Sequence, residues 1–359
     1  MQTTTAGERV QAPNLRQLGV VVAGCLLLGI AACRARPGSD TATSQPGSTA
    51  LQSVSVRFPI PIVEAGQTPF YVAQDKGYYA QEGLNVRFNM GSQELNPVKT
   101  VATGQDTFGV LGGPDTLLVA RANGQPVKAV AILQRNSNFS CLITLASSGL
   151  TRLEQLQGKK IGFYYGHIST DVLHALLHRN NIHYSEVDVG FDYNQLIAKR
   201  IDAEWGFTVT AGLDLPAKGI AINIISPASY GIVTQGYTIF ATDSTLSNKP
   251  DVVTRFLRAT LKGVDYTAHH PEEARDILLK REPSLDPALS LKRLNAYLAV
   301  TSDSRQYPPG YMDRAMFQDT YDRLNEEHVL HSSFPIQDAY TTSFLDQVDA
   351  KAWPDLPSQ

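Results

Sequence analysis

The chain has little of what most catalytic sites are built from. Its 359 residues include three cysteines, Cys25, Cys33 and Cys141. None stands at metal-ligand spacing with a histidine, and they offer no disulfide framework. Neither Gly-x-Ser-x-Gly, His-Glu-x-x-His nor a phosphate-binding loop ending in Lys-Ser/Thr occurs. Basic runs are missing as well. The 31 Lys and Arg are scattered among 34 Asp and Glu, for a net charge of −3, which argues against nucleic acid or another polyanion as partner. No repeat of solenoid or propeller period is present. What the sequence does have is a 43% hydrophobic content over a length that suits one large or two medium domains with a real core.

The first residues read as a targeting segment. Arg9 and Arg16 supply a basic start, and Leu18 to Gly29 is apolar, too short and glycine-rich for a comfortable membrane span. It ends in Leu28-Gly29-Ile30-Ala31-Ala32-Cys33, which looks like a bacterial lipoprotein signal over residues 1–32, with Cys33 as the lipidated new N-terminus. The plainer alternative is a secretory signal with an incidental cysteine. Residues 33–53 are rich in Ser, Thr, Pro, Gly and Gln, which predicts a flexible tether. Cys141, inside the run Cys141-Leu142-Ile143-Thr144-Leu145, reads as a buried small hydrophobe.

From Val54 onward strand and helix patterns alternate. Val54–Phe58, Asn85–Asn89, Thr107–Leu111 and Val127–Gln134 have strand character, with helical spacing at Tyr71–Asp75, Asn96–Thr103 and Pro114–Asn123 between them. The rhythm restarts after Leu150. Ile161–Phe163, Ile201–Thr208 and Ala221–Ile225 read as strands and Asp171–Asn180 as a helix. Such alternation predicts an α/β fold with mostly parallel strands, and the restart predicts two lobes with a cleft at the strands' carboxyl ends. The last third is helical, led by the amphipathic stretch Pro250–His269.

The segment Thr68–Phe88, TPFYVAQDKGYYAQEGLNVRF, adds a family resemblance. With Asn96–Gly104, Phe108-Gly109-Val110, Leu118–Ala122, Leu153–Ile161, Phe256–Thr260 and His270–Ala274, its order and spacing resemble solute-binding proteins of the sulfonate, nitrate and thiamine-pyrimidine type. The resemblance implies a two-lobed periplasmic-binding-protein type II fold. Its first lobe would take residues 54–136, its second 137–231, and residues 232–359 would return to the first lobe and add C-terminal helices. It further implies a binder, not an enzyme, serving the permease and ATPase subunits of an ABC importer at the outer face of the cell membrane, with no cofactor, catalytic residue or metal.

Candidate ligand contacts follow from that architecture. The turn Leu111–Asp115 places Gly113 and Asp115 at a helix start, equally suited to a plain tight turn or to a ligand oxygen. The matching turn of the second lobe carries His167, Ser169 and Thr170, with simple N-capping as the alternative. Aromatic residues at turns and strand ends, namely Tyr71, Tyr164, Tyr165, Tyr193, Trp205, Phe207 and Tyr230, suit a planar ring. Gln67 stands where aminopyrimidine binders of the family, and the fungal enzymes that consume it, carry a histidine. No acid follows Trp205 before Asp214. Together with Gln134, these residues point to a planar heteroaromatic solute, riboflavin foremost. Aminopyrimidine, sulfonate or nitrate are the alternatives within the fold, pyrimidine synthesis the alternative class, and Arg135 a lone candidate for an anion. For the anchor, Cys33→Ser is expected to move the protein from the membrane to the soluble fraction on cell fractionation; retention at the membrane would refute the lipidation.

Overall fold

The computed structural model describes residues 50–348 apart from 93, 165–169, 191 and 302–306. The expected signal segment, Cys33 and most of the tether lie outside the described residues, as do Tyr165, His167 and Ser169. The strands are β1 (Gln52–Arg57), β2 (Leu84–Asn89), β3 (Phe108–Leu111), β4 (Val127–Ile132), β5 (Ser140–Leu145), β6 (Lys160–Phe163), β7 (Ser185–Asp188), β8 (Ala203–Phe207), β9 (Ile222–Ile225) and β10 (Thr238–Thr242). They form two five-stranded sheets, ordered β2-β1-β3-β10-β4 and β7-β6-β8-β5-β9. This is the two-lobed α/β architecture expected from the restarted rhythm.

Within each lobe, helices return the chain between parallel strands. Helices α1 (Thr68–Asp75) and α2 (Tyr78–Gln81) link β1 to β2, α3 (Pro97–Ala102) leads to β3, and α4 (Asp115–Ala122) to β4. The α1–α2 break falls at Gly77, whose φ of 72° suits a residue without Cβ. In the second lobe α5 (Asp171–Arg179), α6 (Asn194–Ile197) and α7 (Ala211–Ala217) play the same part. The sheets are less uniformly parallel than expected. β10 runs antiparallel to β3 and β4, and β5 antiparallel to β8 and β9. Each of these strands is the one that arrives from the other lobe. A short crossover delivers the chain to the carboxyl ends of the new sheet's parallel strands, where it inserts between two of them and must run the opposite way.

The two crossovers run side by side and are hydrogen-bonded to each other. Leu133 N–H donates to the Tyr237 carbonyl at 2.8 Å, Gly236 N–H to Gln134 O at 2.8 Å, and Ser137 N–H to Thr234 O at 2.9 Å. Side chains add to the pairing: Gln134 Oε1 accepts Tyr237 N–H at 3.0 Å, and Asn138 Oδ1 accepts Thr234 N–H at 3.0 Å.

The remaining helices are α8 (Asp243–Asn248), α9 (Pro250–His269), α10 (Pro271–Arg281), α11 (Pro287–Thr301) and α12 (Arg314–Glu326). The last third serves the first lobe. Phe256, Leu257 and Val264 of α9 join Phe70 and Val72 of α1 on one face of the first sheet. Phe317 and Leu324 of α12 join Leu117 and Phe240 on the other.

Two outcomes test this packing. A Cβ at Gly236 would lie 2.0 Å from Gln134 Oε1. Gly236→Ala is therefore expected to cost about 1–3 kcal/mol in urea unfolding, and less in a Gln134→Ala background; an unchanged midpoint would contradict the pairing. In β8, Glu204 is 1% exposed, and its Oε2 has no hydrogen-bond partner among the described residues. Burial pushes its carboxyl up to about 7, with Asp192 adding to the shift. A carboxyl raised above its ordinary 4.5 keeps its proton better in the folded chain. Its contribution is whole below about pH 4.5 and is lost as pH rises through about 7. Glu204→Gln is thus expected to raise Tm relative to the parent at pH 8 and to leave it unchanged at pH 4.

Candidate functional site

Strand ends from both lobes open into one cleft with a cavity of about 1210 Å3. The first lobe contributes Pro59, Ile60 and Pro61 beyond β1, and Gly112, Gly113, Asp115 and Thr116 between β3 and α4. The second lobe contributes Phe139 and Ser140 at the start of β5, Tyr164 just past β6, and Phe207 at the end of β8. Ser137, Thr234 and Gln235 of the paired crossovers line it too. Antiparallel entry of β5 explains the second wall, because it brings the amino end of β5 beside the carboxyl ends of β6 and β8.

Aromatic faces dominate that second wall. Tyr164 is half-buried and stacks on Trp205 with centroids 6.4 Å apart and planes 20° from parallel. Trp205 meets Phe207 edge-on at 5.2 Å, and Phe139 meets Tyr297 edge-on at 5.0 Å. The rings are thereby held by neighbours. Across the cleft the backbone is bare. Gly112 has nothing within 4 Å of where a Cβ would stand, whereas at Gly113 a Cβ would come within 3.0 Å of the Gln235 carbonyl and the Asp115 carboxylate.

The charges of the cleft are largely spoken for. Arg323, 2% exposed, donates to Asp115 Oδ1 at 2.7 Å from behind the wall. Thr320, one turn earlier on α12, donates to Gln235 Oε1 at 3.2 Å. At the start of α5, burial pushes the Asp171 carboxyl up to about 6, with nearby Asp115 adding and Arg323 opposing. Arg135 does not reach the cavity. It pairs with Asp313 at 3.1 Å and lies over the rings of Tyr307 and Tyr311. Among the described lining residues Lys99 is the sole cation.

Of the sequence-derived candidates, Gly113, Asp115, Tyr164 and Phe207 line the cavity together. The others that the structure describes do not. Gln67 is fully buried, accepts the Tyr71 hydroxyl at 2.6 Å and donates to the Ile62 carbonyl at 3.1 Å. Tyr71 belongs to an aromatic core cluster with Phe58 and Phe88. Gln134 is spent on the crossover pairing, and Thr170 is buried at 6% exposure. Tyr193 packs behind the second sheet, and the Tyr230 hydroxyl accepts Leu153 N–H at 2.9 Å. Trp205 backs the wall without lining it. Cys141 is wholly buried, as expected, and burial pushes its thiol up to about 12. Phe139, Ser137, Thr234 and Gln235 line the cavity without standing among the sequence-derived candidates. Their one sequence signal is position, just beyond strands where the chain changes sheet.

Comparison with known proteins places this geometry in a lineage. Residues 64–274 match the model of the family described as NMT1/THI5 like. The riboflavin-binding protein RibY of Chloroflexus aurantiacus is 28% identical over 353 residues, covering 92% of this chain and 99% of that protein. A 4-amino-5-hydroxymethyl-2-methylpyrimidine phosphate synthase of Legionella pneumophila is 27% identical over 284 residues, covering 77% and 88%. Among solved structures, the periplasmic aliphatic sulphonate binding protein SsuA from Escherichia coli superimposes with a TM-score of 0.63 at 12% identity, covering 80% of this chain and 91% of that one. The two-lobed fold is thus that of the periplasmic binding proteins, and the chain, matched over more than half its length, belongs to the NMT1/THI5-like family.

Proposed function

We propose that the protein is the solute-binding component of an ABC importer and captures a planar heteroaromatic solute, riboflavin foremost, in the cleft between its lobes. The observation that carries this reading is the second-lobe wall, where Phe139, Tyr164 and Phe207 line the same cavity as the bare backbone of Gly112 and Gly113. A flat ring laid on such faces gains area burial and about 0.5–1.5 kcal/mol for each offset-stacked partner. The glycine turn and the hydroxyls of Ser137 and Thr234 are suited to a ring's polar edge. The likeness to a protein named for riboflavin binding supports the same choice.

The rival readings find less support. A small anion such as a sulfonate or nitrate would want a guanidinium or a nest of N–H groups, yet Arg135 and Arg323 are each paired with a carboxylate. A pyrimidine synthase of the kind found among the relatives would want the sacrificial histidine of the fungal enzymes. The family resemblance puts Gln67 in that place, and it is buried against Tyr71. In this reading Cys33 carries the lipid anchor, and the lobes close on the ligand by bending at the crossovers before docking on the permease.

Titration of intrinsic fluorescence against riboflavin, aminopyrimidines, alkyl sulfonates and nitrate is expected to give saturable binding of riboflavin alone. Tyr164→Ala is expected to weaken it about tenfold, the loss of one stacked face with its buried area, at unchanged Tm. Tight binding of a sulfonate with none of riboflavin would sink the reading.

A further inference from the structure

The cavity is larger than a single flat ring system needs. At about 1210 Å3 it exceeds the roughly 300–1,000 Å3 of ordinary small-molecule sites, and its lining shows where the excess lies. Beyond the aromatic wall it continues between α3 and α4. Val98 and Ala102 line it from α3, one turn apart, and Thr116, Val119 and Ala120 from α4 with Asn123 just past its end, at the spacing of a single helical stripe. Both helices start at the carboxyl ends of strands, α3 after β2 and α4 after β3, and run away from the cleft. The groove between them therefore leads outward for the length of α4, about 12 Å.

Its chemistry is graded. Val98, Ala102 and Val119 form a half-buried apolar floor resting on the core beneath. Exposed Lys99, Thr103 and Gln125 stand at its edges and far end. Hydroxyls and amides both donate and accept, and lysine only donates. The one carboxylate lining the cavity among the described residues, Asp115, sits at the mouth and is already paired with Arg323.

We propose that the α3–α4 groove is a second subsite, which takes a linear polyhydroxylated tail carried by the ring ligand and selects among ring ligands by that tail. The inference rests on the ring-binding reading above. An apolar floor suits the carbon chain, polar edges suit its hydroxyls, and the lysine tolerates a tail ending in an anion while disfavouring a cationic one.

The test compares riboflavin with lumichrome, which keeps the ring system and lacks the tail, by fluorescence titration of the whole protein. Riboflavin is expected to bind about tenfold tighter, the worth of one or two net hydrogen bonds. Ala102→Trp fills the groove and is expected to abolish that advantage while leaving lumichrome affinity unchanged. Because a bulky residue on a six-residue helix can disturb folding, Asn123→Ala with Gln125→Ala, both at exposed positions, provides a second variant. It is expected to weaken riboflavin several-fold and lumichrome not at all. Equal affinities in the parent protein, or equal losses in the variants, would overturn the groove and leave the ring site standing. Binding of neither flavin would overturn both.

Discussion

The pairing of the two crossovers is the constraint on which the rest of this structure depends. Residues 133–138 and 234–237 bond to each other instead of to either sheet's interior, and Gln134 is the tie. Each net hydrogen bond contributes only about 0.5–1.5 kcal/mol. The larger effect is negative: a buried Gln134 amide without the Tyr237 N–H would be costly. Because Gly236 lies against that amide, the two segments have one close register. That register sets β10 into the first sheet and β5 into the second, and turns the carboxyl ends of the parallel strands in both sheets toward one space. Outside the crossovers the lobes touch through apolar contacts, with Val209, Phe139 and Phe207 of the second lobe packed on the first lobe's core and Phe139 edge-on to Tyr297. They also touch through ion pairs, Arg179 and His178 of α5 with Glu326 and Glu327, and Arg293 of α11 with Asp214 of α7. Exposed pairs of this kind are individually weak. The paired crossovers are the covalent joint between the lobes, and the closure proposed above would bend there against these flanking contacts.

Aromatic residues are divided between two tasks that look alike in sequence. Phe58, Phe70, Tyr71 and Phe88 meet with centroid separations of 5.2–6.2 Å, and Phe108 stacks on Phe256 at 4.2 Å. These rings weld α1 and α9 to the first sheet. Phe139, Tyr164 and Phe207 instead stay half-buried at the cleft. The core set spans helices and strands, with Phe70 and Tyr71 inside α1 and Phe256 inside α9. Yet Tyr71 and Tyr164 both follow a strand, so aromatic character there does not separate the two tasks. A polar partner does: the Tyr71 hydroxyl is satisfied by Gln67 from the preceding turn, which lets the ring be buried whole.

Periodicity made much of the fold legible. Seven of the ten strands, the restart after Leu150 and the helix at Pro250–His269 carry their signal locally, in spacing and in bounding Gly and Pro, whereas β5, β7 and β10 were not marked by it. The antiparallel insertions of β5 and β10 carry none, since an apolar run such as Ser140–Leu145 reads the same in either direction. The cleft was legible in the same proportion. Gly113, Asp115, Tyr164 and Phe207 announce themselves at turns after strands, whereas Arg323 lies in the middle of a late amphipathic helix, 208 residues from the carboxylate it holds. Long-range partners of that kind have no sequence spacing to betray them.

That distant partner shapes the chemistry of the cleft. Asp115 alone at the start of α4 would face any ligand as a free anion. With Arg323 behind it, 2% exposed, the pair is close to neutral while its geometry stays fixed. Asp171, from the other lobe, holds its proton more readily than an ordinary aspartate because it is buried, with Asp115 adding to the shift and the same arginine opposing it. Beside the aromatic wall the charges are thus turned on one another, while Lys99 stands apart on α3, and the proposed reading leaves shape and stacking to discriminate the ring. A neutral flat ring loses little hydration on entering such a cleft, and the faces that meet it are already braced by Trp205 and Tyr297. Rings braced in advance lose little freedom on binding, so in the proposed reading the second lobe's wall is a preformed half of the site, to be completed by closure at the crossovers.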